Sequence, residues 1–200
     1  MTLEQQLGLS FPIYWNGWPI EEEFAKYLIY KIITNRPVNI VELGSGTSSL
    51  IILKTLEKLG CEYTLTSFDS DRSFLNSTRN LLLAENVYDE KHVKLIHAPL
   101  EDLEMSGKKF RWYSGDKFKF DFDKIDLLFI DGPIGGYNKN ARYPAINIFK
   151  NYLKKGSVAI LHDANRPDEI EIVELWKKEN PEIKSIYKID SERGGVEIHF

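Results

Sequence analysis

The sequence predicts an α/β fold: a mostly parallel sheet of seven strands with helices on both faces and an antiparallel strand contributed by a C-terminal hairpin. Three observations point to it. Short apolar runs and longer amphipathic stretches alternate five times along the chain. The last two apolar runs are instead joined by SERGG, a hairpin-type loop. One run, KIDLLFID (124–131), is apolar without alternation, as a central parallel strand is when both its faces are covered. With 200 residues, 42% of them hydrophobic, the chain suits a single domain with a substantial core.

The elements follow in order. FPIYWNGW (11–18) is aromatic and turn-forming. Pro19 stands at a first helical position, and Glu21, Glu22 and Glu23 suit the positive end of a helix over 19–34. Phe24, Tyr27, Leu28 and Ile32 make its apolar face, and Pro37 ends it. Residues 1–35 therefore read as an aromatic segment and a helix covering the site, and 36–200 as the sheet domain. Strands are expected at 38–43, 62–69, 93–98, 124–131, 157–163, 183–190 and 194–200. Helices are expected at 47–60, closed by Gly60, and at 71–86, capped by Asp69, Ser70 or Asp71. Two more are expected at 143–156 and at 167–180, the latter opening on Pro167. The stretch 107–123 reads as a charged and aromatic connection where a helix would be expected.

Composition narrows the partners. The formal net charge is −4, from 30 acidic and 26 basic residues, which argues against a nucleic acid held mainly by its phosphates. Cys61 is the single cysteine, so an intrachain disulfide and a thiolate metal cluster are excluded. No apolar stretch approaches the roughly 18–20 residues that span a bilayer. The start, MTLEQQLGLS, lacks the basic and apolar regions of a signal peptide. A cytoplasmic protein without a membrane or nucleic-acid partner is expected.

In such a sheet ligands bind outside the carboxyl ends of the strands, where strand order reverses. The first such end is NIVELGSGTSSL (39–50). A dinucleotide turn needs a third glycine, and Ser49 stands there instead. Glu42, Gly44 and Gly46 fit a different pattern: an acid, one residue, glycine, one residue, glycine. A carboxylate so placed is unhelpful to a pyrophosphate at a helix N-terminus. It suits S-adenosylmethionine, whose sulfonium and α-ammonium are both positive. Asp69, ending the second strand, can accept hydrogen bonds from two ribose hydroxyls of either cofactor.

VELGSGTSSL, SFDSD, IDLLFIDGP and ILHDANRPDE, in that order and each at a strand end, resemble the class I S-adenosylmethionine-dependent methyltransferases, which have a Rossmann-like fold. The resemblance covers residues 36–200 and includes the hairpin, whose last strand inserts antiparallel in that family. It implies that Glu42, Gly44, Ser45 and Gly46 surround the methionine part and that Asp69 and Ser70 lie at the ribose. Ala98, Pro99 and Leu100 would run along the adenine. Asp131 would stand at the reactive end, where it could orient the ammonium, bind a metal or deprotonate the acceptor.

A second, partial likeness is to the catechol-type O-methyltransferases, which bind magnesium through an acid after the fourth strand and an Asp-Asn pair after the fifth. Asp131 and Asp163 match the two acids. Ala164 stands where the Asn would be, with Asn165 one step further, and Ile134 replaces that family's lysine. Lys139 lies in the same loop without matching it. These departures weigh against a metal on Asp131 and Asp163, although oxygen ligands suit magnesium. His162 is then the expected general base, with a pKa that is ordinarily near neutrality. Its removal would spare cofactor binding and cost turnover. Asp131, His162 and Asp163 form the expected catalytic group.

DGPIGGYNKNARYP (131–144) is glycine-rich and carries Tyr137, Asn138, Lys139, Asn140, Arg142 and Tyr143. It suits a small hydroxylated or anionic acceptor, and with the following HD resembles the sugar and polysaccharide O-methyltransferases. Tyr14, Trp15 and Trp18 would close over the site or bury against a partner subunit in a homodimer, and Trp112 and Tyr113 would stack on substrate, with ordinary core packing the alternative for each. N-methylation, a nicotinamide-type oxidoreductase and a non-catalytic relative remain as alternatives.

Overall fold

The computed structural model describes residues 1–15 and 17–200. Its seven-stranded sheet has β1 (Asn39–Leu43) at the switch point. On one side lie β2 (Thr64–Asp69) and β3 (Val93–His97), and on the other β6 (Leu127–Ile130) and β7 (Val158–His162), all parallel. The last strand, β9 (Gly195–His199), enters antiparallel between β7 and β8 (Ser185–Ile189), so the hairpin completes that end of the sheet. No helix among the described residues is long and apolar enough to cross a membrane.

Strand residues alternate between two apolar layers. Ile40, Leu65, Leu127, Phe129 and Ile160 pack beneath α1 (Leu3–Leu7), α2 (Glu22–Asn35), α3 (Thr47–Leu59) and α4 (Arg72–Ala84). Val41, Leu43, Leu128, Ile130 and Leu161 pack on the opposite side, beneath α5 (Pro144–Phe149) and α6 (Pro167–Glu179). Both faces of the central strands are therefore dry, which is why their sequences read as unbroken apolar runs.

Three local readings change. The stretch after β3 contains a two-stranded antiparallel sheet, β4 (Leu100–Met105) and β5 (Lys108–Tyr113). In KKFRWY, Phe110 and Trp112 point inward and alternate with exposed Lys109 and Arg111, a strand period inside what reads as a charged connection. This hairpin, with Phe118 and Phe120 behind it, covers the face a helix would have covered. The helix expected at 143–156 stops at Phe149, because the chain beyond it turns to pair with the sheet: Ile125 N donates to Tyr152 O at 2.9 Å. Helix α2 starts at Glu22 rather than Pro19; Glu21 is its N-cap by backbone geometry, but its carboxylate is spent elsewhere.

Candidate active site

The cavity opens where β1 and β6 diverge. Gly44 has a φ of 91°, and a Cβ there would lie 2.8 Å from the Asp131 carbonyl oxygen, so the turn after β1 needs glycine to pass the turn after β6. Backbone bonds lock both turns: Gly44 N donates to Phe68 O and Asp131 N to Leu43 O, each at 2.8 Å. The result is a hollow of about 320 Å³ walled by Ser45, Asp69, Ser70, Tyr113, Asp131 and Asp163, among others. A second hollow of about 470 Å³ lies against residues 11–14 and 17–20 and shares Trp18, Ser45, Phe74 and Asp131 with the first.

At one end stands Asp69. Its Oδ2 accepts from Ser45 N (3.0 Å) and Ser45 Oγ (2.9 Å), and its Oδ1 from Asp71 N (2.9 Å). The carboxylate is fixed in the wall, and the capping of α4 falls to Asp71, which accepts from Ser73 N and Phe74 N. Gly46 and Thr47 line the second hollow at the start of α3. Ala98 is buried, with its N–H on Asp69 O, and Pro99 O accepts from Ser114 N. Neither is among the residues lining the cavity, whereas Ser70 and Tyr113 both are.

Glu42 does not reach the cavity. It is wholly buried beneath the glycine turn, accepting from Ser48 Oγ (2.7 Å), Ser49 Oγ (2.5 Å) and Ser67 Oγ (2.6 Å). Ser49, the residue in place of a third glycine, also accepts from Gly46 N. The acid thus braces the turn from below. Burial pushes its carboxyl up to about 7, against the pull of the three hydroxyls. An acid whose folded pKa exceeds its unfolded value weakens the fold as pH rises between the two. Stability should therefore decline from pH 4.5 to 7, and Glu42→Gln should flatten that slope in melting curves across the range.

His162 also lies out of reach. Its side chain has no exposed surface; Nδ1 is 3.1 Å from Asp131 Oδ1 and Nε2 is 2.5 Å from Glu21 Oε2. Burial alone would lower its pKa, but charge and hydrogen bonding from Asp131, then Glu21, raise it to about 9. The expectation of a general base is corrected accordingly: a base needs a free lone pair near neutral pH and a path to substrate. His162 is a buried cation clamped between two acids. Glu21, lowered to about 2 despite its burial, also accepts from Arg193 N at 2.6 Å, so it ties α2 to β7 and to the loop before β9.

Arg142 is the centre of the acid group. Buried on all sides, it donates from Nη1 to His162 O (2.9 Å) and from Nη2 to Asp131 Oδ1 (3.1 Å) and Asp163 Oδ2 (3.2 Å). Arg166 Nη1 meets the same Asp163 Oδ2 at 3.0 Å. Asp163 Oδ1 is different: it is buried in the cavity wall and has no hydrogen-bond partner among the described residues. The residue has a φ of 60°, an uncommon conformation for a side-chain-bearing residue that aims it out of the strand end.

Asp131, His162 and Asp163 offer ligand atoms within 4.8 Å of one another, the spacing of a metal site. The donor set does not fit one. A guanidinium nitrogen already bridges the two carboxylates, and both imidazole nitrogens face acids. The metal expectation for Asp131 and Asp163 is therefore not met by the residues present.

Several other expectations change place. Trp112 is core rather than a stacking platform, whereas Tyr113 does line the cavity. Trp18 and Tyr14 are largely exposed, and Trp15 donates from Nε1 to Glu4. In the loop, Asn138 accepts from Arg111 N and Lys139 pairs with Glu171, so their polarity serves the protein itself. Glu21 and Arg193, central here, carry no signal in the sequence: Glu21 reads as an ordinary first-turn acid, 141 residues from its histidine partner.

A family profile described as a methyltransferase domain matches residues 41–164. No curated protein matches the chain. Among solved structures, it is similar to the O-methyltransferase from Bacillus cereus in complex with S-adenosylhomocysteine (12% identity, 93% of this chain and 84% of that one, TM-score 0.67). It is also similar to the O-methyltransferase TomG from Streptomyces achromogenes, involved in tomaymycin synthesis and in complex with S-adenosylmethionine (13%, 98% and 85%, 0.65). A third is the S-adenosylhomocysteine-bound methyltransferase PaMTH1 from Podospora anserina (15%, 88% and 77%, 0.64). At such identities the likeness is one of fold. The matched span, however, runs from β1 to just past Asp163 and so contains the glycine turn, Asp69 and both acids of the far wall, and on that ground the chain belongs to the methyltransferase-domain family.

Proposed function

We propose that this protein transfers a methyl group from S-adenosylmethionine to an oxygen of a small hydroxylated acceptor. The observation that carries the reading is a single cavity with two unlike ends. One end has a fixed carboxylate, Asp69, suited to vicinal ribose hydroxyls; the other has an unsatisfied carboxylate oxygen on Asp163. The similar structures with S-adenosyl ligands support the donor, and those named O-methyltransferases support oxygen as the acceptor atom.

When bound, S-adenosylmethionine supplies an electrophilic methyl group on a cationic sulfur. The residues supply alignment and a proton acceptor. Asp69 orients by hydrogen bonds at one end. Asp131, half-buried yet held below its ordinary carboxylate value by His162 and Arg142, keeps negative charge in the middle of the wall. Asp163 Oδ1 takes the proton of the acceptor hydroxyl, while Arg142 and Arg166 hold Oδ2 and so fix the direction of Oδ1. A sugar-like acceptor is the narrower form of this reading; with Asn138 and Lys139 committed to the protein, it rests on the arginines of the wall.

Titration calorimetry tests the donor. S-adenosylhomocysteine should give saturable heat and NAD none, and Asp69→Ala should weaken the former at least about tenfold, roughly 1.4 kcal/mol. Binding of NAD in place of S-adenosylhomocysteine would sink the reading. A screen of sugars, phenols and amines, read by S-adenosylhomocysteine formation, then identifies the acceptor.

A further inference from the structure

We propose that Arg142 is a built-in cation at the acceptor end of the cavity, bridging Asp131 and Asp163 where a divalent metal could otherwise sit, so that methyl transfer needs no metal. The proposal rests on the reading of that end as the acceptor site, but its central claim concerns the ion alone.

The geometry is specific. Nη2 of Arg142 lies 3.1 Å from Asp131 Oδ1 and 3.2 Å from Asp163 Oδ2, and so occupies the bridging place between the two acids. The guanidinium is not a mobile surface group that an incoming ion could push aside. It is 3% exposed, donates to His162 O through Nη1, and has Pro133 O at 3.5 Å and Glu169 Oε1 at 3.8 Å from Nε. Its planar fork holds several acceptors at once, which a displaced arginine would leave unsatisfied in a dry interior. The third prospective ligand is engaged as well: Nε2 of His162 is held by Glu21, and Nδ1 is taken up by Asp131 Oδ1, an oxygen the ion itself would need. A dication added here would also face a fixed positive charge across a few ångströms.

Arg142 thus supplies what a metal would supply on the protein side, a fixed positive charge that keeps two acids together in low dielectric. It leaves Asp163 Oδ1 without a hydrogen bond in the cavity wall, with the nearest cationic nitrogens at 3.6 Å (Arg193 Nε) and 3.8 Å (His162 Nδ1). Arg142 is a positioning residue on this account.

The test is metal binding by the full-length protein, with and without S-adenosylhomocysteine, using Mn²⁺ followed by electron paramagnetic resonance and Mg²⁺ by calorimetry. The wild type should show no site tighter than about 1 mM. Arg142→Gln, which removes the charge and withdraws the side chain from between the two acids, should gain a Mn²⁺ site and a metal-dependent rise in melting temperature. Adding Asp163→Asn should abolish both gains. Arg142→Lys, which keeps the charge, should stay closed to metal. A wild-type Mn²⁺ site that Asp163→Asn removes would overturn the proposal, and so would a folded Arg142→Gln that gains none. The wild-type titration decides whether or not Arg142→Gln folds. Failure of the methyltransferase reading would appear in the S-adenosylhomocysteine titration and would leave the metal result intact.

Discussion

Asp163→Asn should lower kcat by about 100-fold or more while changing the affinity for S-adenosylhomocysteine less than about threefold. The amide keeps the size and the acceptor oxygen that Arg142 and Arg166 need at Oδ2, so the wall should stand. What it replaces is Oδ1, the buried oxygen left without a partner, by a nitrogen that cannot take a proton. Asp69 and the glycine turn are untouched, and cofactor affinity should follow them. The measurement is steady-state turnover on an acceptor from the screen, beside calorimetry with S-adenosylhomocysteine. Turnover within a few-fold of wild type would remove Asp163 as the base. A large loss of cofactor affinity would instead mark it as part of the donor site.

The second large effect is on stability. His162→Gln should cost about 3–5 kcal/mol, because it removes the buried cation that buried Glu21 and half-buried Asp131 share. The wild type should also carry a pH signature. The folded pKa of His162 is raised to about 9 from an unfolded value of 6.5. A base with a raised folded pKa contributes stability that is complete below pH 6.5 and lost as pH climbs through about 9. The difference amounts to about 3 kcal/mol. Glu21 shows the same interaction from the other partner: its stabilisation is complete above pH 4.5 and lost as pH falls toward 2. The two describe one clamp and do not add. Chemical denaturation at pH 6, 7.5 and 9 measures the slope, and His162→Gln should abolish it above pH 6.5. If His162 were instead a catalytic base with an ordinary pKa, its replacement would erase turnover and the wild type would show no such slope.

Much of the frame was legible in the residues. The insertion of the last strand came from the family resemblance, but seven strands, their largely parallel order and an antiparallel strand at the end follow from apolar runs, glycine stops and one hairpin loop, all local signals. So did the strand-end positions of Gly44, Asp69, Asp131 and Asp163, because a strand's end is marked where its apolar run breaks. The hairpin after β3 was missed for an equally local reason. Lysines and arginines between the aromatic residues mask an alternation that matters only once one side of the ribbon lies on the sheet. Phe110 and Trp112 carry no local mark that separates core from substrate contact until the layers are assembled around them.

The chemistry was legible by position but not by role. Sequence places His162 next to Asp163 and one strand away from Asp131, which makes a base look natural. Whether a histidine is a base or a buried cation depends on what meets its second nitrogen, and that partner, Glu21, arrives from the far end of the chain. Glu42 shows the same limit: its place in the motif is plain, yet it points beneath the turn into three hydroxyls. Arg142 appears in the sequence only as one polar residue of a mobile-looking loop, and folding turns it inward between two acids. Periodicity and glycine placement act over neighbouring residues, so the chain's own order carries the sheet, the switch point and the residues at its rim. Protonation, metal fit and the direction of a carboxylate depend on dielectric and on contacts across more than a hundred residues, and those exist only after the layers have closed on one another.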